Sequence, residues 1–268
     1  MSHASMSSRV PVDAALARRI ERAQAEQNRG ATPAQGLLEI AGGLALFNGP
    51  GSPLTQAIAL ALDGPIDAAT LDRVEAHLGQ GGGPVPIELT PFSHPSLGQE
   101  LARRGYRVSE FQQVFARALP GAPLPPHTAE VRPIQPGEAE LFARTVGQGF
   151  MGREELTDDE ATLMLSAATM SGTTCFLARV GGEPAGGGTA AVHDGVATLS
   201  GTGVRERFRG QGLQQALIAT RLEWALRQGC TLASSSTHPG TPSQRNMERL
   251  GFFVAYPKLV MVRDAPGV

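Results

Sequence analysis

Apolar positions in the second half of the chain switch between the spacings typical of strands and of helices. Residues 196–204 form a short apolar run that predicts a buried strand, and residues 211–227 carry apolar positions three and four apart that predict a helix ending before Gly229. The same analysis predicts the order strand, two helices, three antiparallel strands, helix, strand, helix, strand. Before the strand at 196–204, the pattern predicts a strand over 130–134, a helix beginning at 137 and a second helix behind a capping box at Thr157–Glu160. Two strands over 175–180 and 185–192 follow, joined by Gly181-Gly182. After the helix at 211–227, it predicts a strand over 232–236, a helix around Asn246 and a strand over 258–262.

The first half shows a similar but weaker pattern. It predicts helices over 9–27 and over 68–78, the latter behind Asp67 as N-cap, and strands over 42–48, 57–62 and 84–90. Residues 103–117 can be laid over 249–263, with Arg, Gly, two Val and Arg coinciding and an aromatic residue after each glycine. This repeat predicts two copies of one fold in tandem, with domains over 1–119 and 129–268 and a proline-rich linker over 120–128.

Composition and charge argue against a nucleic-acid-binding, membrane-spanning or exported protein. The formal net charge of the 268-residue chain is −2, which gives no electrostatic reason to expect binding to nucleic acid or to an anionic membrane. No apolar run reaches the ~18 residues needed to span a bilayer, and Met1–Arg9 lacks the apolar core of a signal peptide. We therefore expect a cytoplasmic protein whose two cysteines, Cys175 and Cys230, are buried and reduced, and we expect no metal site.

The motif Arg209-Gly210-Gln211-Gly212 lies where the predicted strand turns into the predicted helix. Glycines at such a turn let the backbone approach a ligand, and the first amides of a helix are free to bind an anion such as a phosphate. A Walker loop would need Lys and then Ser or Thr where Leu213 and Gln214 stand. A Rossmann fingerprint would need an acidic residue about 20 residues later, and residues 231–236 contain none.

Two segments together indicate a family. The pattern V-x-x-x-x-R-G-x-G-L over 204–213 and the segment 243–252, which ends in Leu-Gly-Phe, resemble the pyrophosphate-binding motif and the last helix of the GNAT superfamily of acyl-CoA-dependent N-acetyltransferases. The resemblance implies an α+β fold (three layers) of two tandem GNAT-like domains, each a mixed, mostly antiparallel sheet flanked by helices. It also implies that CoA enters between two splayed parallel strands. The residues that would contact CoA are Thr202, Gly203, Val204, Arg209, Gly210, Gln211, Gly212, Leu213, Gln214, Ser243 and Asn246.

Two registers of the motif fit the family pattern. Arg207-x-x-Gly210-x-Gly212 matches it literally, whereas the spacing from Val204 favours Arg209-x-x-Gly212-x-Gln214. In the second register a glutamine replaces the last small residue and is expected to crowd the start of the helix. Both registers place the amides of residues 210–214 around the phosphates.

The resemblance implies transfer of an acetyl group from acetyl-CoA to a primary amine by direct attack in a ternary complex. The acceptor would be a small-molecule amine or a peptide N-terminus, and the protein a monomer or homodimer. Met247 stands where the family commonly has a tyrosine that protonates the leaving thiolate. Other candidates for proton transfer are therefore Ser243, Tyr256, His238 and Glu154. The alternative is a CoA-binding sensor or assembly module without turnover.

The first copy contains no R-G-x-G motif between its predicted strand at 57–62 and its helix at 68–78. We therefore expect a degenerate N-terminal domain that packs against the catalytic one or shapes its cleft.

Overall fold

A computed structural model describes residues 10–264, which fold into one open eleven-stranded sheet flanked by helices. This architecture confirms the predicted α+β fold. The helices are α1 (Ala14–Arg29), α2 (Ala68–Leu78), α3 (Pro95–Arg103), α4 (Ala139–Met151), α5 (Asp158–Ala168), α6 (Leu213–Arg227) and α7 (Pro242–Arg249). The strands are β1 (Leu37–Ile40), β2 (Gly43–Leu46), β3 (Gln56–Ile58), β4 (Val85–Leu89), β5 (Arg107–Ala118), β6 (Glu130–Pro133), β7 (Thr173–Val180), β8 (Glu183–His193), β9 (Val196–Val204), β10 (Leu232–Thr237) and β11 (Phe253–Arg263).

The two halves of the chain exchange their last strands. The strand order is β1-β2-β3-β4-β11-β5-β10-β9-β8-β7-β6, so β11 lies between β4 and β5, and β5 lies between β11 and β10. The repeat found in the sequence, with its offset of 146 residues, becomes a local two-fold relation here. Arg107 pairs with Val262, and Ala116 pairs with Phe253. In the repeat, Arg107 corresponds to Phe253 and Ala116 corresponds to Val262. Each residue therefore pairs with the counterpart of the other, as a two-fold axis requires.

Element boundaries differ from prediction where the backbone leaves the extended conformation. Residues 57–62 were predicted as one strand, but β3 ends at Ile58 because Ala59 and Ala61 have positive φ angles of 59° and 56°. The first helix begins at Ala14 behind the N-cap Asp13, and Arg9 lies outside the described residues. The last strand is longer than predicted because β11 is paired along both edges.

Helix α1 belongs to the first half in sequence but also covers the sheet of the second half. Its apolar side packs in one cluster with Val196 of β9 and Leu232 of β10. At its C-terminal end the Gln27 side chain donates a hydrogen bond to the Ser200 hydroxyl of β9 at 2.7 Å. The helix therefore fixes the first half against the strands that form the site described below.

Cys175 and Cys230 are buried free thiols, as the sequence predicted, and burial raises the pKa of each. Within residues 10–264, none of the helices is both long and apolar enough to cross a membrane.

Candidate acyl-CoA site

The glycine motif forms an open cradle of backbone amides between β9 and α6. Gly210 and Gly212 have positive φ angles of 77° and 76°, a conformation that favours glycine, and a side chain placed on either would meet no atom of residues 10–264 within 4 Å. Helix α6 begins at Leu213 and has no side-chain N-cap. Among the described residues the amides of 210–215 find no protein acceptor. Such a helix start is suited to binding a phosphate.

A cavity of about 640 Å³ opens at this cradle. Every CoA-contacting residue predicted from the sequence lines it, except Gln211 and Ser243; those that do are Thr202, Gly203, Val204, Arg209, Gly210, Gly212, Leu213, Gln214 and Asn246. Gln211 instead lines a separate cavity beside residues 125–130. The side chain of Gln214 points towards α7, where it hydrogen-bonds to Ser243 (3.2 Å) and Asn246 (2.7 Å), so it leaves the start of α6 open.

Three arginines give the cavity a positive charge. Arg209 lines it from the cradle, and Arg245 and Arg249 line it from successive turns of α7. In the described part of the chain none of them has a carboxylate within salt-bridge distance, and no acidic residue lines this cavity. The neighbouring Arg205 and Arg207 are paired with Glu154 and Glu183 instead. Arginines without a carboxylate partner among the described residues suit a ligand with several phosphates.

The sheet splits beside the cradle. The parallel strands β9 and β10 pair only as far as Thr198 and Ser234, after which the Ser235 hydroxyl donates to the Leu199 carbonyl at 2.8 Å. Beyond this fork β9 carries a bulge, where the register with β8 shifts and Gly201 has a φ of +58°. The predicted opening between two parallel strands is therefore present in the fold.

The side chain of Arg221 in α6 donates hydrogen bonds to β8 and to this bulge of β9. It is fully buried, and its guanidinium donates to the Thr189 carbonyl (2.9 Å), the Ser200 carbonyl (3.1 Å) and the Thr202 hydroxyl (2.8 Å). All its hydrogen-bond partners are neutral oxygens, and burial lowers its pKa to about 9. At neutral pH a buried cation thus lies directly behind the bulge. Sequence reasoning missed Arg221, because only the fold brings it to β9.

A second cavity, of about 420 Å³, lies on the other side of the bulge. Ser200 and Gly201 line this central cavity, whereas the next residue of β9, Thr202, lines the cradle cavity. Its walls come from both halves of the chain, including α1, β4, β5, α4 and α5. Two ligands held in the two cavities would therefore meet at the bulge.

The four residues predicted for proton transfer lie outside both cavities. The Tyr256 hydroxyl is buried and donates to Glu21 at 2.8 Å, and burial raises its pKa. His238 is 60% exposed after β10, with Nε2 3.9 Å from Glu110 Oε2. Glu154 is bound to Arg205, whose hydrogen bond lowers the pKa of the carboxyl, and it lines neither cavity.

The remaining candidate, Ser243, is on α7. The helix begins at Pro242, and its N-cap Thr241 accepts a hydrogen bond from the Gln244 amide. Ser243 accepts a hydrogen bond from Gln214. Met247 is buried in the core with Phe115 and Leu250. The structure thus brings together most of the predicted CoA-contacting residues around one cavity, and it leaves the four predicted proton-transfer residues outside both cavities.

Comparisons with known proteins agree with this geometry. A model of the GNAT acetyltransferase family matches residues 144–252, which contain the bulge, the cradle and α7. No curated protein matches the sequence significantly.

Solved structures share the fold along most of the chain. A GCN5-related N-acetyltransferase from Kribbella flavida has a TM-score of 0.68 at 19% identity, covering 94% of this chain and 96% of its own. A tandem GNAT protein from the clavulanic acid biosynthesis pathway has a TM-score of 0.62 at 14% identity, covering 95% of each chain. A GCN5-related N-acetyltransferase from Sphaerobacter thermophilus has a TM-score of 0.54 at 23% identity, covering 74% of this chain and 65% of its own.

The family match, the shared fold and the open cradle lead to one conclusion about class. The GNAT fold supports acyl transfer from acyl-CoA, and the elements on which that use depends lie within the matched residues. Residues 144–252 match the GNAT acetyltransferase family, and the chain has the fold of GNAT proteins along most of its length.

Proposed function

We propose that this protein transfers an acetyl group from acetyl-CoA to a primary amine by direct attack in a ternary complex. The observation that carries the proposal is the open amide cradle at residues 210–215, which lies beside the fork between β9 and β10. Nothing in the described chain fills it, and the three free arginines around it match the charge of a nucleotide with several phosphates.

Residues on the two sides of the β9 bulge would bind the two substrates. The amides of residues 210–215 hold the diphosphate, and Arg209, Arg245 and Arg249 add charge around it. Bound acetyl-CoA supplies an activated acyl thioester. The central cavity holds the acceptor amine on the far side of the bulge, so that the two substrates are oriented before they react. Such orientation can contribute about 7–11 kcal/mol to the lowering of the barrier.

Arg221 would support the charge that develops at the bulge. Negative charge gathers on the acyl oxygen as the amine attacks, and fixed dipoles or charges in a dry site stabilise it without reorganisation. The buried guanidinium is held by oxygens of Ser200 and Thr202, one on each side of the bulge. Its role would be to position β9 and to contribute a positive potential behind it.

The amine must lose a proton to react. Ser234, Ser235 and Ser236 of β10 line the central cavity at the fork, and their hydroxyls can both accept and donate a proton. We propose that they relay this proton towards solvent, since the four candidates from sequence lie elsewhere.

The first half would not bind CoA itself. The residues between β3 and α2 lack a glycine cradle, and the Asp67 side chain accepts a hydrogen bond from the Thr70 amide at 2.8 Å. The carboxylate of Asp67 therefore already occupies the start of α2, whereas the start of α6 is open for the proposed phosphate. We propose that this domain is degenerate and that the chain binds one CoA.

A CoA-binding sensor without turnover is the second candidate. The observation that favours it is the burial of Met247 in the core, because a thioether there cannot protonate a leaving thiolate. Both functions require CoA to bind at the cradle, and only the transferase would break the thioester of acetyl-CoA.

Two measurements test the proposal. Calorimetry with CoA should give one site per chain, and Arg209→Ala should weaken that site. Mixing acetyl-CoA and a panel of primary amines with the protein should then release free thiol and form the N-acetyl product, detected by mass. Binding without thiol release across the panel would favour the sensor. Absence of CoA binding would overturn both functions.

A further inference from the structure

The polar residues buried in the wall of the central cavity show where this cavity would hold a ligand. Those that line it and are more than nine-tenths buried are Gln27, Glu88, Thr189, Thr198, Ser234 and Ser235. Buried polar groups in native structures nearly always have hydrogen-bond partners. Any member of this set without a partner in the chain therefore indicates a position for a ligand or a water.

Three members are satisfied by hydrogen bonds within the fold. Gln27 of α1 donates to the Ser200 hydroxyl at 2.7 Å, and Thr189 of β8 shares a hydrogen bond with the same hydroxyl at 2.8 Å. The Ser235 hydroxyl donates to the Leu199 carbonyl. These residues hold the strands together and need no further partner.

Glu88 is satisfied as well, and it lies far from the bulge. One of its carboxylate oxygens accepts from Gln24 at 3.1 Å and the other accepts from Lys258 at 2.8 Å. The sheet order puts β4 four strands from β9, which is about 19 Å at ~4.8 Å per strand. Arg221 adds a positive charge behind the bulge. A second cation on the acceptor would therefore be buried near the bulge without a free carboxylate among the described residues that line the cavity.

Two hydroxyls remain, side by side at the fork. Thr198 and Ser234 are the last paired residues of the parallel strands β9 and β10. Thr198 is 6% exposed, and its hydroxyl has no hydrogen-bond partner in the described structure. Ser234 is 2% exposed, and within residues 10–264 its hydroxyl makes no hydrogen bond, in contrast to that of Ser235. Because a hydroxyl can both donate and accept, this pair suits a ligand group that does the same.

The hydroxyl pair lies deeper in the fork than the bulge. Ser200 and Gly201 follow Thr198 along β9 by two and three residues, and Ser236 follows Ser234 along β10 by two. At about 3.3 Å per residue, the bulge is roughly 7–10 Å from the pair. An acceptor bonded to the pair and reacting at the bulge would therefore span about 7 Å between its oxygen and its nitrogen, the length of roughly five carbon atoms.

The wall that faces these strands is apolar. Phe142, Val146 and Phe150 of α4 and Met164 of α5 line it. The volume of about 420 Å³ is within the range of small-molecule sites. The middle of an acceptor in this cavity would thus be in contact with apolar side chains.

We propose that Thr198 and Ser234 together recognise a hydroxyl group of the acceptor, which is a primary amino alcohol with about five carbon atoms between its nitrogen and its oxygen. This assignment rests on the proposed acetyl transfer and names its substrate class. The hydroxyl of the acceptor donates to one of the two residues and accepts from the other. Its hydrocarbon body packs on α4 and α5, and its amine lies at the bulge beside Ser236.

The test uses amines that differ at one end only. The first, 5-aminopentan-1-ol, carries a hydroxyl where hexylamine carries a methyl group, 1,5-diaminopentane a second ammonium and 5-aminopentanoate a carboxylate. Each is supplied to the full chain with saturating acetyl-CoA, and thiol release gives kcat/KM. We expect 5-aminopentan-1-ol to exceed each of the other three by about tenfold or more, because hexylamine leaves both hydroxyls unpaired and the other two bury an uncompensated charge.

Three variants locate the preference. Thr198→Val keeps the shape of the side chain and removes its hydroxyl, so the ratio of kcat/KM for 5-aminopentan-1-ol over hexylamine should fall about tenfold. Ser234→Ala, which removes the other hydroxyl, should lower the same ratio by itself. Thr173→Val is the matched control, because the Thr173 hydroxyl of β7 is also buried without a partner in the described structure but lies outside the central cavity. It should leave the ratio unchanged, and none of the three should change KM for acetyl-CoA.

The possible failures are distinct. If CoA does not bind, or if no amine in a broad panel is acetylated, the proposed function fails and this assignment fails with it. If other amines are acetylated but 5-aminopentan-1-ol has no advantage over hexylamine, water satisfies the two hydroxyls and the assignment is wrong. A preference for 1,5-diaminopentane or 5-aminopentanoate would show that the cavity recognises a charge. A preference for the alcohol that survives in both Thr198→Val and Ser234→Ala would place the recognising group elsewhere. Either result overturns the assignment and leaves the CoA site standing.

Discussion

At the residue scale, Gly212 and Gly229 form a natural pair at the two ends of α6. Both have a φ of +76°, and a side chain on either would meet no atom of the described chain within 4 Å. Replacement by glutamate therefore introduces the same backbone strain at both positions, but only at Gly212 does it bring a carboxylate to the phosphate-binding amides.

We expect Gly212→Glu to weaken CoA binding roughly 100-fold, the loss of about two charge-assisted hydrogen bonds. Gly229→Glu should leave the affinity near that of the unaltered protein, as measured by calorimetry. Equal losses in the two variants would mean that helix strain, not anion binding, explains the effect, and the cradle assignment would fall.

Arg221 gives a second prediction at this scale. Arg221→Met keeps the volume of the side chain but removes the buried charge and the donors to Ser200 and Thr202. We expect kcat for thiol release to fall about tenfold or more, because the bulge loses its support and its positive potential. The Kd for CoA should stay unchanged, since the cradle amides are untouched.

Arg221→Lys is the matched variant, because it restores the charge but not the three-way hydrogen bonding. It should recover part of kcat. If kcat and CoA affinity fall together in Arg221→Met, the residue serves only the fold.

The limits of sequence reasoning are clearest among these residues. The cradle glycines are predictable because the motif is local and only glycine adopts their conformation freely. Arg245 and Arg249 also lie on one face of the last helix with Asn246, so their spacing contained a usable signal. Arg221 and Glu88 reach the site only through tertiary contacts, and no local pattern in the sequence indicates them.

At the element scale, β6 lies at an edge of the sheet and, within residues 10–264, pairs only with β7. Glu138, at the start of α4, binds Arg132 of β6 at 2.7 Å, Arg179 of β7 at 3.1 Å and the Gln135 amide at 2.7 Å. These bonds, with Arg132 the largest contributor, lower the pKa of Glu138 from 4.5 to about 2.

The pH dependence follows from the sign of that shift. A carboxyl whose pKa is lower in the folded state stabilises the fold fully above its unfolded value and loses this effect as the pH falls through its folded value. We therefore expect Glu138→Gln to lower Tm at pH 7, and the difference to shrink between pH 4.5 and about 2. A pH-independent difference for Glu138→Gln would contradict the ion-pair explanation.

Elements defined by local chemistry were predicted well. The capping box of Thr157 and Glu160, the Asp67 cap and the Gly181-Gly182 hairpin are all present. Besides the longer β11, the errors include β3, where two alanines take a left-handed conformation, and β1, a short strand that no clear pattern marked. In both cases neighbouring strands, not local propensity, determine the backbone.

At the scale of the whole molecule, the internal repeat predicted two copies but not their exchange of last strands. The sequence pattern of β5 and β11 is the same whether each strand completes its own half or the other. Only the sheet order distinguishes the two arrangements. The exchange also brings Lys258 of β11 within 2.8 Å of Glu88 of β4, which lines the central cavity.

The exchange also predicts that neither half is a complete folding unit. Without the first half, β10 loses β5, and β11 loses both of its neighbours. Phe115 of β5, which is fully buried against Met247 and Leu250, would leave a large void, and bare strand edges promote aggregation. We expect residues 129–268 expressed alone to be unfolded or aggregated by circular dichroism and size exclusion.

Co-expression with residues 1–119 should restore a 1:1 complex that binds CoA. The matched control is the full chain cut at a protease site inserted within residues 124–126, which lie between β5 and β6. It should stay assembled and bind CoA, because the cut breaks no strand pairing. A folded, monomeric C-terminal half with the CoA affinity of the whole chain would show instead that the exchanged strands contribute little.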